Sequence, residues 1–283
     1  MTVVFEDVTD ADREALVDFM FAHAPIMMFP LTNLTRYGLR GTHPRAITAW
    51  IAKVDGVITD VISISQEGTV FPCCASGDWR AAAAVLSGRT IKGFVGDGDQ
   101  VTALRAAMGM TAPADLDAIE PAYCLSLAKI RAPDTTSLTL HQLDRAPHDL
   151  IVKWRTDYEI ETLQGKPQKA AEGAERRIRD FKTVDSHRVL FHGDIPVAMT
   201  GFNAVLPEIV QVGGVYTPPD FRGRGYAKAA VALHLKEVAV DGVTEAVLSA
   251  ATIKAAHVYE TLGFERTGDF GLVIYDTPQA YHG

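Results

Sequence analysis

The sequence predicts an α/β fold, a mixed and mostly antiparallel sheet flanked by helices, duplicated along the chain. Three observations predict it. Between Glu208 and Val240 an apolar strand runs into a short loop rich in Arg and Gly, then into a long Ala-rich helix. Strand-like segments flank Gly193-Asp194 and Gly268-Asp269, dipeptides that favour tight turns because Gly adopts positive φ without strain. The order of helices and strands before Pro133 recurs after it, which points to a divergent internal duplication.

In the first half the apolar periodicity predicts helices over 10–23 and near 33–39, then a strand pair over 46–54 and 57–65. A strand over 69–73 leads to a helix over 78–86, and a strand over 91–95 leads to a helix over 100–108. An apolar strand follows at 123–127. The polar stretch Lys129 to Thr136 contains Pro133 and suits a linker, so the boundary is expected between 1–132 and 133–283. After it come a strand over 138–143 and helices over 147–163 and 170–183, the second with apolar Ile178 and Phe181 among charges. Strands over 187–191 and 197–203 turn at Gly193-Asp194, and the strand–loop–helix of Glu208 to Val240 follows. A strand over 246–249 precedes a short helix stopped by Gly263, and a strand pair over 266–275 ends the chain.

The loop Arg222-Gly223-Arg224-Gly225-Tyr226-Ala227 has the makings of an anion cradle. Its glycines let backbone approach a ligand, the next helix presents unpaired N–H groups and its positive dipole end, and two arginines add forked donors. A pyrophosphate suits these donors. A Walker loop would need Gly-Lys-Ser/Thr, and a dinucleotide fingerprint would need G-x-G-x-x-G; neither is present. What is present is Arg-x-x-Gly-x-Ala. A second segment, Thr252 to Phe264, reads TIKAAHVYETLGF.

Both segments resemble the GNAT N-acetyltransferase superfamily. The first is similar to its acetyl-CoA signature (Q/R)-x-x-G-x-(G/A). The second is similar to N-x-x-A-x-x-x-Y-E-x-L-G-F, matching at Ala255, Tyr259, Glu260, Leu262, Gly263 and Phe264 and departing at Thr252, where Asn is common. The resemblance implies a GNAT-type sheet, acetyl-CoA as co-substrate, and direct transfer to an amine in a ternary complex. It implies cofactor contacts from Val215, Tyr216 and Thr217 on the strand, from Arg222, Gly223, Arg224, Gly225, Tyr226 and Ala227 in the cradle, and from Thr252 and Ala255. Tyr259 would act as general acid toward the departing thiolate, and Glu208 as base for the amine. No metal is called for. In the first half the equivalent of the cradle is Cys73-Cys74-Ala75-Ser76-Gly77-Asp78-Trp79, with no basic residue. The run Gly96 to Asp99 carries two aspartates that repel a pyrophosphate, with Asp99 expected to cap the next helix. That half is therefore expected to be a degenerate copy without an acyl-CoA site.

Composition adds limits. The net charge of -8 argues against a broad nucleic-acid surface, and no apolar run reaches membrane-span length. The N-terminus lacks a basic start and an apolar signal core. Cys73 and Cys74 are adjacent in a set of 3 cysteines, which suits free thiols in a cytoplasmic protein rather than a disulfide or zinc framework. The acceptor is read as a small-molecule amine, with Trp154, Tyr158 and Glu159 as substrate contacts beside Asp157 and Glu161; charge and aromatic faces there suit a cation. His187, His192 and His257 lack metal spacing and receive no role. A homodimer is left open. Two other classes stand beside this reading, a non-catalytic acyl-CoA-binding regulatory module and an aminoacyl-tRNA-dependent transferase. Acidic net charge and an intact cradle speak against the second.

Overall fold

A computed structural model describes residues 3–283. In chain order it holds β1 (Glu6–Asp7), α1 (Arg13–Ala22), α2 (Ala24–Tyr37), β2 (Ile47–Val54), β3 (Val57–Ser65), β4 (Thr69–Cys74), α3 (Trp79–Ala84), β5 (Thr90–Asp97), α4 (Gly98–Ala107) and β6 (Leu116–Ser126). There follow β7 (Leu138–Gln142), α5 (His148–Glu161), α6 (Pro167–Thr183), β8 (His187–His192), β9 (Ile195–Val205), β10 (Ile209–Tyr216), α7 (Tyr226–Val240), β11 (Glu245–Ser249), α8 (Ile253–Leu262) and β12 (Glu265–Ala280). The order strand, two helices, three strands, helix, strand, helix occurs twice, the duplication the sequence predicts, with β1 a strand ahead of the first helix that the periodicity does not predict.

The chain does not divide at Pro133. One compact unit is Met1–Glu120 with Gly268–Gly283, the other Pro121–Thr267. The reason lies in the last strand of each set. Within the first unit β12 pairs antiparallel with β5, Phe270 opposite Asp97 and Val273 opposite Phe94, so the chain's C-terminal strand completes the N-terminal core. Within the second, residues 122–126 of β6 pair antiparallel with β11. The predicted strand pair over 266–275 is accordingly one strand of 16 residues, and Gly268 at φ +156 sits within it rather than in a hairpin turn.

The first unit orders its strands β1-β2-β3-β4-β5-β12, with the one parallel pair between β4 and β5. Its core joins Trp50, Ile62, Phe94, Leu104 and Val273. The helix expected near 33–39 is longer, α2 running from Ala24 through Pro30, since the buried apolar face of Met27, Met28, Leu31 and Leu34 outweighs the cost of one interior Pro. The cap of α4 is Asp97, which accepts from the Gln100 N–H at 3.0 Å, not Asp99.

The second unit orders its strands β6-β11-β10-β9-β8-β7, with β10 and β11 parallel and the rest antiparallel. Strand alternation gives each face its own helices. Val189, Phe191, Met199 and Tyr216 pack with Ile151 and Trp154 of α5 and Ile178 of α6. Leu190 and Ala198 pack with Tyr226, Ala229 and Ala230 of α7. On that same face Phe202, Val210 and Val212 meet Val231 and Leu235 of α7 and Ala256, Tyr259 and Leu262 of α8. Ala229, Ala230 and Ala232 of α7 are buried because small side chains let the helix lie close to the strands.

Candidate active site

The parallel pair β10–β11 is short. Its register runs only through Ile209–Glu245, Val210–Ala246 and Gln211–Val247, although β10 continues to Tyr216 and β11 to Ser249. Beyond Gln211 the two strands part. On the other side, the β9 ladder skips from Gly213 to Tyr216, and Gly214 takes φ +63 in that bulge. Backbone of residues 214–215 thus lacks a ladder on either side, and Gly213 is paired on the β9 side alone, which is what a ligand arm needs in order to add its own hydrogen bonds. Val215 packs against the core that holds Tyr259, on the α7–α8 face of the parting. Tyr259 is 9% exposed, with its ring 5.8 Å from that of Phe264.

The cradle follows directly. Pro219–Phe221 form one 3-10 turn, Gly223 and Gly225 take φ +76 and +78, and Gly225 caps α7 without a side chain. No Cβ placed at either glycine would meet an atom within 4 Å, so the surface over them is open. The first turn of α7 carries no acidic residue. Thr217 Oγ1 lies buried at the approach without a hydrogen-bond partner. Together these fit a pyrophosphate and a polar arm: N–H groups facing outward, positive dipole, and one orphaned polar atom beside them.

The first unit has the same parting without the vacancy. β4 and β5 pair at Thr69–Gly93 and Val70–Phe94 only. Here the amides are taken by the chain itself: Cys74 N–H donates to Gln100 Oε1 at 2.7 Å, Ser76 N–H to Asp60 Oδ1 at 2.9 Å, and Ala81 N–H to Asp78 Oδ1 at 3.1 Å. Two carboxylates stand where a phosphate would. Cys73 and Cys74 are buried free thiols, and burial raises Cys73 to about 12, so neither is a nucleophile.

The structure distributes the other sequence-predicted residues unevenly. Arg222 points away from the helix start, donating from Nε to Thr217 O at 2.8 Å and from Nη2 to Glu161 Oε2 at 2.5 Å, with its guanidinium 5.6 Å from the Tyr216 ring. Arg224 lies over Phe221 at 5.9 Å. Tyr226 is buried and bonded to His192 Nδ1 at 2.8 Å, so only its backbone and that of Ala227 face the cradle. Thr252 caps α8 by accepting the Ala255 N–H at 3.1 Å, a task that the family's Asn would also perform.

Glu208 is exposed and precedes the closed end of the β10–β11 pair, its carbonyl taking the N–H groups of Thr244 and Glu245. Val212 lies four residue steps further on, about 13 Å along a strand. Trp154 and Glu159 are buried. Trp154 belongs to the α5–α6 core, and Glu159 is held by Arg155 at 2.7 Å and Arg177 at 3.0 Å. Tyr158 lies under the Arg155 guanidinium at 5.0 Å. These three therefore serve the packing of α5, because its amphipathic pattern turns them inward. The polar group of α5 that does face β10 is Asp157 with Glu161: Tyr216 donates to Glu161 at 3.1 Å and reaches Asp157 at 3.4 Å. Burial and these two carboxylates push the Tyr216 hydroxyl well above its ordinary range, so it stays protonated.

Sequence reasoning passed over His187 and Gln211. Both are buried, and His187 Nε2 and Gln211 Oε1 have no hydrogen-bond partner. The available signal was three glycines inside strands, Gly201, Gly213 and Gly214, which mark bulges or close approaches. Among the described residues no cluster of three or more His, Cys, Asp or Glu is placed to hold a metal, and no helix is long and apolar enough to cross a membrane.

Residues 149–264 match the model of the acetyltransferase (GNAT) family. Among solved structures the chain is similar to a tandem GNAT protein from the clavulanic acid biosynthesis pathway, at 16% identity and TM-score 0.56, covering 96% of this chain and 97% of that one. It is similar to a GCN5-related N-acetyltransferase from Sphaerobacter thermophilus, at 13% identity and TM-score 0.55, covering 95% and 94%. A Drosophila protein gives 12% identity and TM-score 0.60 over 98% and 100%. At these identities the likeness shows the fold, including its repetition along one chain. No curated protein matches. The segment 149–264, which holds both the cradle and Tyr259, is thus a GNAT-family acetyltransferase domain, an acyltransferase domain carried within this chain.

Proposed function

We propose that the second unit transfers an acetyl group from acetyl-CoA to the primary amine of a small molecule, by direct attack in a ternary complex. The observation that carries this reading is the contrast between the two partings. In the second unit the N–H groups at the start of α7 face open surface, whereas the matching amides of the first unit are filled by Asp60, Asp78 and Gln100. One chain thus holds one open cradle.

In this reading the start of α7 binds pyrophosphate, and the backbone of residues 213–215 orients the thioester carbonyl and stabilises the charge that develops on its oxygen. The amine nitrogen forms a bond to the carbonyl carbon, the C–S bond breaks, and Tyr259 gives its proton to the departing sulfur. The amine's own proton leaves to solvent, with Glu208 too far along the strand to be the direct base. Asp157 and Glu161 supply negative charge near the cleft, which favours a cationic acceptor in approach. Neither nucleic acid nor membrane enters the reaction. The test is release of free thiol from acetyl-CoA across a panel of small primary amines, alongside thermal protection by CoA. Thiol release with at least one amine is the expected result. Protection without release would make the chain an acyl-CoA sensor, and absence of protection at saturating CoA would remove the reading altogether.

A further inference from the structure

His187 opens β8 on the α5–α6 face and is 1% exposed. Its ring stacks on Phe181 of α6 at 3.6 Å and 12°, and Nδ1 lies 2.8 Å from Ser186 Oγ. These two contacts fix the plane of the ring. The strand register then puts His187 opposite Gly201, and Gly201 opposite Gly213. Two glycines make room for it. A Cβ on Gly201 would stand 2.2 Å from Cδ2 of the ring, and one on Gly214 would stand 2.7 Å from Nε2. Carbon atoms do not approach so closely, so the imidazole occupies the space that side chains at 201 and 214 would otherwise fill.

Gly214 is the centre of the β10 bulge. A backbone segment without ladder bonds on either side has little to hold its shape, and residues 214–215 are such a segment. From the α5–α6 face, what lies against Gly214 is the edge of the His187 ring. The ring is uncharged there. Burial opposes protonation first, and the charges of Arg155 of α5 and Arg188 of β8, with the titratable His234 of α7 beside them, oppose it further.

Resting on the reading that residues 213–215 receive the thioester, we infer that His187 is a positioning residue for acyl transfer: its ring is the wedge that holds the β10 bulge in shape. It touches neither substrate nor cofactor in this role. It acts through Gly214.

Two readouts test this, amide hydrogen exchange of the ligand-free protein and steady-state kinetics. In His187→Ala, exchange over residues 213–216 should rise about tenfold or more while α5 and α7 keep their protection. kcat should fall about tenfold or more with KM for acetyl-CoA within about twofold, because misplacement affects the reacting geometry rather than the distant cradle. Gly201→Ala should give the same signature by pushing the ring away, and should decide the matter if His187→Ala does not fold. The double variant should be no worse than His187→Ala alone, since the clash and the ring are one interaction. A folded His187→Ala with unchanged exchange and unchanged kcat overturns the inference, and so do strictly additive effects in the double variant. If the wild type releases no thiol with any amine, the functional reading fails, while the exchange pattern still decides whether His187 holds the bulge.

Discussion

Arg222 and Glu161 face each other at the rim of the cradle, the guanidinium donating to the carboxylate at 2.5 Å across two half-exposed side chains. On the proposed reading, Arg222 would have to turn from Glu161 to reach a pyrophosphate at the start of α7. Glu161 would then compete with the ligand for Arg222, and its own charge would oppose a pyrophosphate. Glu161→Gln is expected to tighten CoA binding about threefold to tenfold, an effect in the range of an exposed ion pair. Arg222→Ala should weaken it by a similar or larger factor. Calorimetric titration with CoA at low and high salt checks both, and the differences should shrink as salt rises. Equal affinity in Glu161→Gln and wild type would mean that the pair is bystander to binding.

The contrast between the two partings can be moved from one unit to the other by a single substitution. Gly225 has the place at the start of α7 that Asp78 has at the start of α3, where its carboxylate caps the helix. Gly225→Asp would set a carboxylate over the cradle's N–H groups. Asp tolerates positive φ better than most residues and caps helices well, so Tm should change little. Protection by CoA should be lost. Gly225→Ala serves as control, costing stability through its positive φ while leaving the N–H groups open.

Much of this was legible in the sequence, and the limits have physical causes. The cradle and the Tyr259 helix were readable because both are local: spacing along one turn fixes which groups point together. The order of elements was readable from periodicity and from turns such as Gly193-Asp194. The unit boundary was not. Nothing in residues 265–280 says that they pair with β5 rather than with β11, because strand pairing is a long-range choice between similar apolar edges. The acceptor side was misread for a related reason. WRTDYEIETL is rich in groups suited to an amine, yet helical rotation buries Trp154 and Glu159 and leaves Asp157 and Glu161 facing β10. His187 was invisible because its partners, Gly201 and Gly214, lie on other strands.

Tyr259 stands on the same face as Val215, in the core that Val215 packs against. Its proposed task, protonating the leaving sulfur, concerns the transition state and not the bound cofactor. Tyr259→Phe keeps the ring contact with Phe264 and removes only the hydroxyl. The expected result is a loss of kcat of about a hundredfold, the usual scale for a general acid, with CoA affinity within about twofold of wild type. Stopped-flow thiol release and CoA titration on the same preparation separate the two quantities. An unchanged kcat would take Tyr259 out of the chemistry and leave it a core residue.

His234 gives the fold a pH dependence that can be worked out in sign. It lies in α7, 1% exposed and stacked on Phe202 at 3.9 Å, with Nδ1 unpartnered. Burial, assisted by Arg188, brings its pKa from 6.5 down to about 3. Between those two values the unfolded chain binds a proton that the folded chain refuses, so the folded state loses stability as pH falls below about 6.5 and the loss continues toward pH 3. His187, lowered in the same direction, adds to it. Each such group contributes a slope of at most about 1.4 kcal/mol per pH unit. Urea unfolding between pH 7.5 and pH 4.5, within the window where carboxylates still ionise, should show stability falling already from about pH 6.5. His234→Leu keeps an apolar side chain against Phe202 and removes the titrating group, so its stability curve should be flatter by about one group's slope over the same interval. Parallel curves for the variant and the wild type would show that His234 does not titrate between the two states.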